Sequence, residues 1–544
     1  MTPLSDLHGD LTRARHLALA SDEEAAKNLL LSLMPHIEAA GRDDLMLEAY
    51  AQLGELYLVR TAYDGVTEGL NRIRDCLHSY TELRAGRLPE AAAQVTLTDT
   101  EIDRMICRYR RRAQFLQTGL AAAHGDHEAA GAALRILTED PAMFDELADE
   151  HTYLVTLAQI LCAVALCDDD LHVQSVPLWQ SVLHTLDRPA DGTEPDDSLR
   201  VLAGTGYGRF CVETGRLTEA EPWLRRAGAR AQARGWTLAA ARTQLERASA
   251  AWAAGDRGRA QDLVHEAYPA IAEHARAHDV SRCWLYFGFI SISVGALDDA
   301  DGRFEHAERH WRELGRPLHI HRILVQRSWV DILRGDFDAA RRRVAAAREL
   351  LDDWPRHSWL QYARLDDHMG SILRAEALAQ PEDADRLFAH AADLKVPAAL
   401  AVDSVRYTIG DPDARARWAT CVSARMLAGA FAVAADWDDT ALLAELIEYH
   451  CARGTVSIPS VPHTSEWADA ATAAVPVDDA EDTYALVASG PAHITDSSLT
   501  TLGVLPPLRM DPGGDPVLVR YRKLAHSRYG RTVTADAASW STWP

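Results

Sequence analysis

Ser281-Arg-Cys-Trp-Leu-Tyr-Phe-Gly288-Phe-Ile-Ser-Ile-Ser-Val-Gly295-Ala-Leu-Asp-Asp-Ala300-Asp-Gly-Arg-Phe304-Glu-His-Ala307 is one unit of a pattern that returns every 40 residues. Gly215, Gly255, Gly295 and Gly335 open the ladder, and each is followed five residues later by Ala220, Ala260, Ala300 or Ala340. Leu224, Val264, Phe304 and Val344 stand four residues beyond, and Ala227, Ala267, Ala307 and Ala347 three beyond those. Positions i, i+4 and i+7 share one helix face, so each triplet is a buried stripe with a large residue between two small ones. A glycine just before the stripe fits a left-handed turn closing the preceding helix. A period held over four units without insertion predicts a helical-repeat solenoid.

Seven residues before each glycine lies another small residue, Gly208, Ala248, Gly288 or Ser328. These positions together resemble the tetratricopeptide repeat, most closely from Ser281 to Ala307, and Tyr50, Leu53-Gly54 and Tyr57 resemble its first helix. The resemblance implies an all-α, right-handed superhelix of antiparallel helix pairs. The usual period of that family is 34, so a period of 40 calls for helices of about 17 residues.

At 544 residues the chain exceeds one hydrophobic core and fits an extended array. Its net charge of −24 argues against general binding to nucleic acid or anionic membranes. Of 56 basic residues only Lys27, Lys395 and Lys523 are lysine, the bias of a GC-rich genome such as an actinobacterial one. The N-terminus has no basic segment ahead of an apolar one, so no signal peptide is expected. The apolar runs near 156–167 and 426–435 are short for a bilayer, and a cytoplasmic protein is the expectation.

Three regions follow. Residues 1–187 read as degenerate helical repeats. Residues 198–453 hold the regular array and a terminal helical pair. Residues 454–544 form a non-repeating extension, with strand character at 484–488 and one helix at 515–529 ended by Gly530. In the extension, Leu505-Pro-Pro-Leu-Arg-Met, Tyr521-Arg, Arg528-Tyr-Gly and the final Trp-Pro resemble the region that precedes the caspase-like CHAT peptidase domain in actinobacterial repeat proteins. The chain has no match to that domain's catalytic His and Cys, so the resemblance implies a sensor or adaptor without peptidase activity.

No catalytic constellation stands out. The histidines of His124-Gly-Asp-His127, His319-Ile-His321 and Asp366-Asp-His368 lack a metalloprotease spacing, and there is no P-loop or nucleophile elbow. The eight cysteines are scattered, and Cys162 with Cys167 has no His or Cys at zinc-site spacing, so neither metal nor cofactor is expected. Gly204-Thr-Gly206-Tyr-Gly208 reads as close helix packing. The arginines of 108–112 and 341–343 go round their helices without lining one face.

The regular register also places Arg242, Arg282 and Arg322 at one position, 40 apart, in the first turn of each unit's first helix. By analogy with the tetratricopeptide groove, Trp252, Phe289 and Trp329 stand on the concave side beside them. The expectation is a guanidinium ladder edging an exposed aromatic floor, suited to an acidic or C-terminal segment of a partner. Cations in a helix's first turn oppose its dipole, so structural partner carboxylates are the competing expectation. The function expected is a non-enzymatic scaffold that binds a protein or peptide in its concave groove. The alternatives are a regulatory subunit of a CHAT-type system and the ligand-sensing part of a transcriptional regulator.

Overall fold

A computed structural model describes residues 4–452, apart from 93–94, 96, 141–143, 170, 356 and 408–417, together with 472–476, 486–489 and 517–533. Helices make up 85% of what is described. They come as antiparallel pairs: α1 (Leu4–Leu19) with α2 (Glu23–Ala39), and α3 (Asp43–Val59) with α4 (Tyr63–Arg84). After the short α5 (Pro89–Ala92) come α6 (Asp99–Ala123) with α7 (His127–Glu139), and α8 (Ala148–Asp168) with α9 (His172–Leu186). The regular units are α10 (Glu194–Glu213) with α11 (Leu217–Ala233), α12 (Thr237–Ala253) with α13 (Arg257–His274), α14 (Ala277–Ser293) with α15 (Leu297–Glu313), and α16 (Pro317–Arg334) with α17 (Phe337–Asp352). Two more pairs end the array, α18 (Trp359–Ala379) with α19 (Ala384–Ser404) and α20 (Ala424–Asp436) with α21 (Thr440–Ala452). The result is an all-α repeat superhelix, with helices α11 to α17 running 16 to 18 residues.

The register behaves as the spacing predicts. Gly215, Gly255, Gly295 and Gly335 all lie in turns with φ between 73° and 82°. An added Cβ at Gly255, Gly295 or Gly335 meets nothing within 4 Å, so the left-handed backbone alone requires glycine there. Ala300, Phe304 and Ala307 are fully buried, as are their counterparts on α13. The small residue on the first helix answers the large one on the second: a Cβ on Gly288 would enter the Phe304 ring, and one on Gly208 would lie 2.5 Å from Leu224. The glycines of 204–208 are likewise packing residues, with Gly206 against Trp179 and Gly204 against Ala227.

Two helix starts and the length of one apolar run differ from the sequence reading. The acidic residues 194–197, which fall between the regions 1–187 and 198–453 read from the sequence, form the first turn of α10, because Thr193 caps it, Pro195 suits that turn, and the acids favour the positive helix end. The run Asp145–Asp168 is long and apolar enough to cross a membrane by length and composition. Here it packs as the first helix of a pair in contact with α6, α9 and α10. The last helix, α22, begins at Val519 and runs to Tyr529, with Leu518 in a left-handed conformation before it and Gly530 (φ 66°) closing it.

Helix α22 covers the end of the array. Tyr521 and Ala525 join the core of α18, α19 and α20, Tyr529 Oη donates to Asp366 Oδ2 at 2.6 Å, and Arg520 pairs with Asp393 at 2.6 Å. In the extension, β1 (Thr472–Pro476) pairs antiparallel with β2 (Leu486–Ser489), and β2 overlaps the strand expected at 484–488. The Pro-Pro segment at 505–507 and the terminal tryptophans lie outside the described residues.

The array is wound tightly enough for its parts to meet across the axis. Leu19 and Ala20, where α1 ends, pack on Val201 and Trp236 at α10 and the start of α12. Glu23 opens α2 and pairs with Arg276, which precedes α14. Arg316, which caps α16, donates to the carbonyl of Ala123 at the end of α6 and to Asp169 Oδ1 at 3.0 Å, beyond α8. Turns of the first pairs therefore rest on the N-terminal ends of the later inner helices.

Candidate functional site

The first helix of each pair forms the inner layer. No residue of α10 is exposed, nor any from Leu238 to Ala253 on α12, Val280 to Ile292 on α14, or Leu318 to Ile332 on α16. Neighbouring inner helices and their outer partners cover them, with the β1–β2 hairpin also against α10 and α12, and the side chains left half-buried are both polar and apolar.

This arrangement overturns the exposed aromatic floor. Phe289 is fully buried, and Trp252 and Trp329 are 2% and 6% exposed. Trp252 stacks on Phe289 at 5.5 Å, Phe289 meets Phe304 edge-on, and Trp329 meets His368 at 4.6 Å. With longer helices and units closely packed, the positions that line a wider groove become the seam between consecutive inner helices. The aromatic area stabilises the stacking of units and is not offered to a partner.

The three arginines hold equivalent places but have different partners. Arg242 donates to Asp279 Oδ1 of the next inner helix at 3.1 Å, and Arg282 donates to Glu246 Oε2 of the preceding one at 2.7 Å. Arg322 donates to the carbonyl of Asp168, 154 residues earlier, at the end of α8, at 3.3 Å. Each arginine is the sixth residue of its helix and so lies in the second turn, not the expected first, and Arg322 gains from facing the C-terminal end of α8. Asp279 and Glu246 are the partner carboxylates anticipated on electrostatic grounds for Arg242 and Arg282.

Two charged clusters line the inner face. In the first, Arg112 is 2% exposed and bonded to Glu48 at 2.9 Å and Glu55 at 2.5 Å, with Arg108 on Glu150 at 2.7 Å. Burial alone would raise the Glu48 carboxyl, yet Arg112 and Arg108 overcome it and hold it at about 2. The arginine run thus neutralises inward-facing acids, in line with the absence of a basic face.

In the second cluster, Arg209 on α10 bonds Asp168 Oδ1 and Glu213 Oε1, both at 2.6 Å. Burial opposes the Glu213 carboxylate, but Arg209 and His172 together keep it at about 2. Asp168 is also held well below the usual range, against burial, by Arg209 with His319 and Arg316. Around it, His127 bonds Asp169 at 2.9 Å. His278 Nδ1 and His310 Nε2 stand 2.9 Å apart. Several of these charges keep a share of their surface: Arg108 33%, Glu55 32%, Asp168 24%, Arg282 23% and Glu213 20%.

One grouping was not legible from spacing. Cys167 at the end of α8, His172 at the start of α9 and Glu213 at the end of α10 bring three ligand-type atoms within 4.8 Å of one another. Cys167 and His172 flank one helix turn, but only the packing of α10 on α8 supplies Glu213.

No protein-family model and no curated protein matches the chain. Solved structures with a similar helical array include the apo form of the quorum sensor NprR from B. thuringiensis. It is 15% identical over 63% of this chain and 87% of that one, with a TM-score of 0.40. A Rap protein complexed with competence and sporulation factor is 10% identical over 63% and 91%, with a TM-score of 0.41. The APC/C hetero-tetramer Cut9-Hcn1 is 10% identical over 80% and 95%, with a TM-score of 0.31. The repeat fold rests on the turn glycines and buried stripes described above, not on these likenesses.

Proposed function

We propose that the chain is a non-enzymatic scaffold that binds a polypeptide segment along the inner face of its superhelix. The observation that supports this reading is the partly exposed seam of alternating charge, from Arg108 and Glu55 through Asp168, Glu213 and Arg282. A seam of both signs suits an extended segment that carries charges of both signs and offers backbone amides to carboxylates and guanidinium groups. This differs from the acidic partner expected from an arginine ladder, because acids of the neighbouring helices already answer Arg242 and Arg282. A subunit that such a scaffold regulates, including a caspase-like peptidase, is favoured by one feature. Helix α22 docks on α18 and α19 at the array's end, while the β1–β2 hairpin of the extension lies against α10 and α12.

The test places a photo-crosslinking residue at Ser249, on the inner face of α12, or at Gln261, exposed on the outer α13. Partner adducts are expected from position 249 and not from 261. Adducts from the outer position alone would sink the inner-face reading.

A further inference from the structure

Cys167 and His172 are buried and have no role in binding a polypeptide, yet with Glu213 at the edge of the seam their chemistry is specific. His172 is 2% exposed, its Nε2 lies 2.9 Å from Glu213 Oε2, and its Nδ1 is buried with no hydrogen-bond partner. A buried polar nitrogen without a partner is uncommon in a folded protein and costs free energy there. Cys167 is 4% exposed and donates only a long, weak bond to Ser175 Oγ at 3.5 Å.

We propose that Cys167, His172 and Glu213 form a binding site for a divalent cation of borderline softness, zinc in the first instance. A thiolate, an imidazole and a carboxylate form a mixed S, N, O donor set that Zn²⁺ accepts with a fourth position left for water. Tetrahedral bonds of about 2.0–2.3 Å set ligand atoms roughly 3–4 Å apart, so rotations of about an ångström close the set around an ion. Charge also fits. With Cys167 ionised, Cys167 and Glu213 place two anions at the ligand positions, Arg209 being shared between Glu213 and Asp168. Cys167 and Glu213 both sit in the last turn of a helix, where the dipole favours a cation. Binding releases the thiol proton to solvent, and Glu213, with 20% of its side chain open to the inner face, marks the entry path.

The same trio in another setting would be a nucleophilic cysteine with its base. Here the thiol is enclosed, and burial foremost pushes its pKa well above the usual value, so it stays protonated in the absence of a metal. The site would tie α8, α9 and α10 together where the early repeats meet the regular ones.

The experiment uses the full chain, stripped with chelator, in a Cys451→Ser background, because Cys451 is exposed beside His450 and could hold metal adventitiously. Cobalt(II) alone is titrated in. One equivalent should bind, with a thiolate-to-cobalt charge-transfer band that zinc(II) then removes. Cys167→Ser should abolish the band, and Glu213→Gln should weaken binding at least about tenfold, the loss that an outer-shell change alone brings. No thiolate band at saturating cobalt, or an undiminished band in Cys167→Ser, overturns the site. If Cys167→Ser loses its helical circular dichroism, alkylation of the otherwise native chain in mild denaturant decides. Zinc should slow modification of Cys167 severalfold, and an unchanged rate refutes the proposal.

Discussion

Ala275 shows what a turn demands of a single residue. Gly235, Ala275 and Gly315 form a second ladder 40 apart, at the turns between units, and all three have positive φ. Ala275, at φ 48° and ψ 32°, carries a Cβ in a conformation that disfavours one by roughly 1–2 kcal/mol. Ala275→Gly should therefore stabilise the protein by about 0.5–1 kcal/mol, after the greater freedom glycine has in the unfolded chain is deducted. Urea melts of the two proteins check it, and a lower midpoint for the glycine variant would show the alanine to be unstrained. The opposite sign is expected one turn away. Ala300 is fully buried in the α14–α15 contact, so Ala300→Leu should overpack it and cost about 1–3 kcal/mol, read as a fall in thermal midpoint. The ladder of Gly215, Gly255, Gly295 and Gly335 and this stripe were legible in the sequence, because each depends on spacing within a turn or along one helix, whereas the second ladder emerged from the backbone conformation.

At the level of elements, helix ends carry the long-range contacts. The N-terminal turns of α14 and α16 and the end of α15 bring His278, His310 and His319 together around Trp311, which stacks on His319 at 4.0 Å. Burial is the main cause that lowers all three, and each also faces a like charge or another acid: His278 has His310, Asp168, Asp279 and Arg316 near it. His278 falls from 6.5 to about 4. A histidine lowered by folding gives full stability above its unfolded pKa and loses it as the pH falls towards the folded value. The protein should thus lose on the order of 1–3 kcal/mol between about pH 6.5 and 4 from His278 alone. Thermal midpoints measured across that range should fall less steeply in His278→Gln, and identical slopes would contradict the assignment. This cluster was illegible in the sequence, since His278 and His310 lie 32 residues apart on the two helices of one unit, His319 belongs to the next, and only the packing of helix ends joins them.

For the whole molecule, closure across the axis is the property that decides what the inner face can do. Glu23 with Arg276, and Asp169 with Arg316, tie the first repeats to the later ones. Removing both arginines, Arg276→Ala with Arg316→Ala, should let the superhelix open. The radius of gyration in small-angle scattering should rise while helical circular dichroism holds. A radius equal to that of the parent would mean that the stacked inner layer alone sets the pitch. The sequence by itself determined the repeat, the turns and the buried stripes, because these are local relations within one or two helices. It could not tell that Phe289 and Trp252 lie in a seam and not on an open floor, nor that Arg322 serves the end of α8. The tertiary structure decided those points, along with the meeting of Cys167, His172 and Glu213. The physical reason is that small rotations between successive units add up over many repeats, and only their sum determines which distant helix ends meet.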